Sequence, residues 1–237
     1  MRFLIVDFKR GLTEKNFHMS LILGIICVLG SIFFITANKN DIPLNIFISA
    51  HGLVLPFVAP FLAAIAYSNM NMIEKDFKYD LLMSIRQKNA SFEIRRFLVN
   101  GIISGLAIVI PIIFLFIIYL CIGVDNLVNQ IIGVIILDFI FGFAFGSLSY
   151  ALTFVNTKKY IPVVAPEVIY LLLIYSFPHL GLEVFYPPLC FSPWILPMYA
   201  NGHNIIILLS ACILFSLMIV IIAKVYNFVE FRRAGGK

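Results

Sequence analysis

Apolar residues fall in six long runs, 19–37, 46–73, 97–122, 127–155, 161–182 and 204–223, separated by short polar or charged intervals. Each run is about the 20 residues that a helix needs to cross a hydrocarbon core, or longer. The pattern predicts an all-α membrane protein with six transmembrane helices forming one domain over 1–237. The first run is too long for a signal h-region, follows a long mixed-charge stretch and lacks a small-residue cleavage site. It therefore reads as a retained span.

Three intervals are too patterned to be plain loops. In residues 1–17, Leu4, Phe8 and Leu12 recur every four positions among charged neighbours, so one helical face is apolar. Such a helix lies in the membrane interface, either bracing the fold and docking a partner or serving only as an anchor. Residues 74–96 carry Phe77, Tyr79, Leu81, Leu82 and Ile85 among charges that include Arg86. Apolar side chains rimmed by charge mark partner docking, and the plainer reading is an interfacial helix on lipid. Residues 183–203 hold Pro187, Pro188, Pro193 and Pro197, which prevent a continuous helix, together with Trp194 and tyrosines suited to the interface. Short broken or re-entrant helices are expected there, with Pro193, Trp194 and Pro197 as an outer gate or an ordinary interfacial loop.

Composition agrees with the runs. The chain is 62% hydrophobic and 12% charged, against about 25% charged in a soluble domain. The net charge of +5 raises the question of nucleic acid, but the positions answer it. Of 17 Lys and Arg, all but Lys39 fall on one side of the predicted membrane. That side is expected to be cytoplasmic, with both termini there, in the inner membrane of a bacterial type of cell. The basic residues then read as topology signals and headgroup contacts, with no nucleic-acid partner.

Candidate chemistry inside the membrane is sparse. Asp138 lies in the middle of the fourth run and Glu167 near the start of the fifth, and no Lys or Arg falls within a run. An intramembrane carboxyl is costly and marks either a polar substrate path or a hydrogen-bonded structural contact, and without a cation each acid is protonated, hydrogen-bonded to Ser, Thr, Tyr or Asn, or wetted by a cavity. Gly101 and Gly105 form one GxxxG and Gly142 and Gly146 another, a spacing that lets helix backbones approach closely. Cys27, Cys121, Cys190 and Cys212 show no disulfide or zinc spacing. His51, His179 and His203 map to outer span ends without ligand spacing, so no metal is expected. GxxxxGK[ST], HExxH and GxSxG are all missing, so no enzyme and no resident cofactor is expected.

The layout resembles the permease subunits of type-2 ABC exporters. The resemblance rests on six runs, the amphipathic segment 3–17, the charged segment between runs two and three, and Phe191-Ser-Pro-Trp-Ile-Leu-Pro before run six. It covers the whole chain and is one of architecture. It implies two permeases, identical or related, and two copies of a separate cytoplasmic ATPase that carries ATP and Mg. Residues 74–96 would hold the coupling helix, with the segment 1–17 beside it as the elbow. The cargo would be hydrophobic or amphipathic, peptide or lipid-like. Two other readings stand. Pro56-Phe-Val-Ala-Pro60 and Pro162-Val-Val-Ala-Pro166 occupy matching runs of two three-span halves, as inverted repeats do in secondary transporters. Asp138 and Glu167 would then couple protons. A membrane scaffold or peptide-immunity protein is the third.

Overall fold

The structure is a computed structural model that describes residues 2–36, 50–77, 89–121, 128–155, 158, 160–191 and 202–233. In chain order its helices include α1 (Arg2–Thr13), α2 (Lys15–Thr36), α3 (Leu55–Tyr67), α4 (Asn69–Asp76), α5 (Asn89–Cys121), α6 (Val128–Val155), α7 (Ile161–His179) and α8 (Gly202–Arg233). Two short 3₁₀ turns, Glu183–Phe185 and Pro187–Cys190, lie between α7 and α8. Among the described residues there is no β-strand. Five stretches are long and apolar enough to cross a membrane: Lys15–Phe34, Phe92–Cys121, Ile132–Val155, Ile161–His179 and Asn204–Tyr226.

The second apolar run is divided rather than continuous. Residues 50–53 are helical, and α3 and α4 follow after turns at Val54 and Ser68, where the backbone keeps right-handed helical dihedrals. Pro56 supplies the reason for the first break. It has no N–H to donate to Gly52, and the Phe57 N–H turns instead to the Val54 carbonyl at 3.1 Å. At 13 residues α3 spans about 20 Å, short of a membrane by itself. It is also the helix with the deepest burial: Leu55, Ala59, Leu62, Ala63, Ala64 and Ala66 are all fully buried.

Other boundaries move as well. α5 starts at Asn89, eight residues before the apolar run, and α8 continues to Arg233, ten residues past it. α7 stops at His179 because Gly181, with φ of 68°, adopts the left-handed conformation. The Leu182 N–H bonds to Phe177 O at 2.9 Å and the Gly181 N–H to Pro178 O at 3.3 Å. That pair of bonds closes the helix with a Schellman motif.

Small residues let the helices meet. α5 and α6 cross with their two glycine pairs face to face. A Cβ on Gly142 would lie 2.8 Å from Gly105 Cα and from Ser104 O, and one on Gly146 would lie 2.2 Å from the Ser104 side chain. Cβ atoms on Gly101 and Gly105 would strike the rings of Phe143 and Phe139. Polar side chains then tie neighbouring helices through backbone carbonyls. Ser104 donates to Ala63 O at 2.7 Å, Asn100 to Gly146 O at 2.6 Å and Ser20 to Leu62 O at 2.9 Å. Ser149 donates to Pro162 O at 2.6 Å. That carbonyl loses its helical donor because Pro166, four residues on, has no N–H.

Candidate functional site

Five helices converge on a cluster of charges at one end of the bundle. Glu74 of α4 is the centre, and its side chain is 3% exposed. Its two carboxylate oxygens take ion pairs from Arg10 of α1 and Arg96 of α5. One residue back along α5, Arg95 Nε meets Asp7 Oδ2 of α1 at 2.7 Å. Glu93, also on α5, accepts from the Tyr150 hydroxyl of α6 at 2.7 Å and faces Lys224 Nζ of α8 at 3.8 Å. Both α5 guanidiniums lie over the Phe92 ring, Arg96 at 4.4 Å and Arg95 at 5.4 Å. A small cavity lined by Tyr67, Met70, Glu74, Arg96 and Tyr150 sits inside the cluster.

The local sequence accounts for this placement. Asp7 and Arg10 are three residues apart on α1 and so share a face. Beside them Phe8 and Leu12 pack on a core of Phe17, Ala66, Tyr67, Met70, Val99, Ile103 and Ala107. Leu4 stays 41% exposed, as do the larger part of Ile5 and Val6. Gly11 permits the approach, since a Cβ there would lie 1.8 Å from Ile103 Cδ1 and 3.3 Å from Tyr67. α1 is therefore fastened to the bundle by one charged edge and one apolar edge, leaving Leu4, Ile5 and Val6 exposed.

Glu74 and Arg96 are the two ends of the charged segment 74–96, and their ion pair closes its base. Phe77, at the edge of that segment, is 79% exposed. Tyr79, Leu81, Leu82, Ile85 and Arg86 lie outside the described residues, as do Pro193, Trp194 and Pro197.

A second polar feature lies toward the other end. His51 Nε2 and Asp138 Oδ2 are 2.9 Å apart, and both side chains are 0% exposed. Asp138 thus takes a partner that is neither a hydroxyl nor an amide, and His51 is fully buried. The Phe191 ring lies 5.6 Å from the His51 ring and 4.8 Å from that of Phe141. Asp138 Oδ1 has no hydrogen-bond partner among the described residues. Glu167 is not part of this pair. It sits half-buried on α7, with the Phe61 N–H of α3 toward its carboxylate.

Composition and spacing single out Asp138, Glu167 and the four glycines, and the fold brings the glycines together. They do not single out Asp7, Arg10, Gly11, Glu74, Arg95 and Arg96 as one group, because α1 is far from α4 and α5 in sequence. The signal available for His51 was a histidine inside an apolar run, opposite an acid in another run. Among the described residues no group of three or more His, Cys, Asp and Glu could hold a metal ion. No family model matches the chain, and no curated protein or solved structure matches it.

Proposed function

We propose that this chain is the membrane permease subunit of an ATP-driven exporter of the type-2 ABC kind, working with a separate cytoplasmic ATPase. The observation that supports the reading is the charge cluster. It fastens the amphipathic N-terminal helix to both ends of the charged segment 74–96, through Arg10, Glu74 and Arg96. A soluble motor needs such a rigid base, so that a push on residues 77–88 moves α4 and α5 together instead of dissipating in a loose loop. The exposed ring of Phe77 is on hand for docking at that base. The one-sided placement of Lys and Arg supports a cytoplasmic position for this end and for both termini. In this reading six segments cross the membrane, the divided second one included. Two permeases enclose the path, two ATPase copies bind ATP and Mg, and the cargo is hydrophobic or amphipathic.

The proline repeats support a second reading, a proton-coupled secondary transporter. Both copies start a helix with a proline in its first turn and place another proline one turn later, on α3 and α7. Those two helices also pack against each other.

Reconstitution separates the readings. The chain, purified with a candidate ATPase and placed in liposomes, is expected to stimulate ATP turnover. Phe77→Ala, Leu81→Ala and Arg86→Ala are expected to lower that stimulation. Turnover unchanged in all three variants removes the coupling role. Transport driven by a proton gradient with no ATPase present selects the second reading.

A further inference from the structure

The pair of His51 and Asp138 ties helical residues 50–53 to α6. Residues 50–53 lead through a turn at Val54 into α3. Asp138 is on α6, twelve residues before Tyr150 of the charge cluster, or about 18 Å along the helix. Ala50, next to His51, packs with Val28 of α2 and Leu115 and Tyr119 of α5, the end of α5 remote from Arg96. The pair therefore lies toward the end of the bundle remote from Glu74.

The turn Pro187–Cys190 covers the pair. Cys190 and Phe191 are fully buried, and both belong to the core formed with Leu55, Phe141, Tyr170, Ile174 and Leu209. The turn thus inserts between α3, α6, α7 and α8, and Phe191 lies against His51 and Phe141. The Gly181 motif ends α7 upstream of the turn, and prolines 187 and 188 open the 3₁₀ turn itself.

The geometry points to His51 and Asp138 as a catch that holds this end of the bundle shut, with Phe191 as the plug seated on it. The inference rests on the permease reading for what would pass when the catch opens. The physical basis is that a dry polar pair has two good states and few between. Paired, His51 Nε2 and Asp138 Oδ2 satisfy each other. Parted without water, those two atoms lose that bond in a low-dielectric core, so separation is favoured only when water enters with it. The Phe191 ring lies against the His51 ring, so water that enters from that side displaces Phe191 and its turn. Paired and plugged, or parted and wet, are the alternatives, and packed cores switch between such states instead of deforming continuously.

Cys190 reports on the plug. In a background with Cys27, Cys121 and Cys212 changed to alanine, N-ethylmaleimide labelling of Cys190 is followed by intact mass in detergent, with no ATPase present. Labelling is expected to be slow in the background and about tenfold faster or more in His51→Gln and Asp138→Asn. The exchange variant His51→Asp with Asp138→His is expected to restore protection, which a merely loosened fold would not do. Ile103→Ala, a cavity in the core near the charge cluster, is expected to leave Cys190 protected. Should the pair variants fail to accumulate, Phe191→Leu decides: faster Cys190 labelling supports the plug. Protection unchanged in the single variants or in Phe191→Leu overturns the inference, as does a folded exchange variant with an open Cys190. Because the labelling needs no motor, the catch and the permease reading fail separately.

Discussion

Glu74 holds its carboxylate between two guanidiniums in a nearly dry setting, so removing it differs from removing either arginine. Glu74→Gln leaves Arg96 buried without its counter-charge, a loss of about 3–5 kcal/mol. Arg10 is 39% exposed, so water replaces much of its pairing and Arg10→Ala is expected to cost about 1 kcal/mol or less. Thermal midpoints of the purified variants check the order, and an Arg10→Ala loss equal to that of Glu74→Gln contradicts it. Glycines divide on similar lines. Gly142→Ala pushes a methyl into Gly105 Cα and Ser104 O, both backbone, and is expected to cost about 1–3 kcal/mol. Gly30 and Gly133 face open space, so alanine there is expected to be neutral or mildly stabilising, by up to about 1 kcal/mol. A Gly30→Ala variant as unstable as Gly142→Ala sinks that distinction. The thiols differ too: Cys190 is fully buried, while Cys121 is exposed.

At the scale of elements, proline positions settle where helices end and what holds them. Pro166 frees the Pro162 carbonyl, and Ser149 satisfies it across the α6–α7 contact. Ser149→Ala is expected to cost about 1 kcal/mol, within the range of interhelical hydrogen bonds in membranes. Hydrogen exchange is expected to rise along the first turns of α7 and not along α5. Equal protection in the variant and the wild type would show that this bond does not hold the two helices. α1 was legible as an amphipathic helix from Leu4, Phe8 and Leu12, and two of those three pack inward. Its charged edge was not legible. Asp7 and Arg10 find Arg95 and Glu74 more than sixty residues away, and no local pattern carries that pairing. The division of the second apolar run was half legible, since Pro56 and Pro60 were visible but their effect depends on which carbonyls find other donors.

For the whole molecule the decisive measurement is orientation. Cys121 ends α5, the helix that begins at the charge cluster. With Cys121 as the only cysteine, a membrane-impermeant maleimide is expected to label intact cells. Labelling only after permeabilisation would invert the topology and with it the side on which a motor could dock. The sequence by itself determined that this chain is helical and multi-pass, because apolar length and the cost of unpaired backbone in lipid act on each segment alone. It also set the basic residues beside the apolar runs and not within them. Only the tertiary structure decided which charges pair. Glu74 sits between α1 and α5, and Asp138 is answered by His51, through packing that small residues at Gly11, Gly105 and Gly142 allow. Pairing between distant segments depends on how closely helices approach and at what register, and those quantities are properties of the assembled bundle.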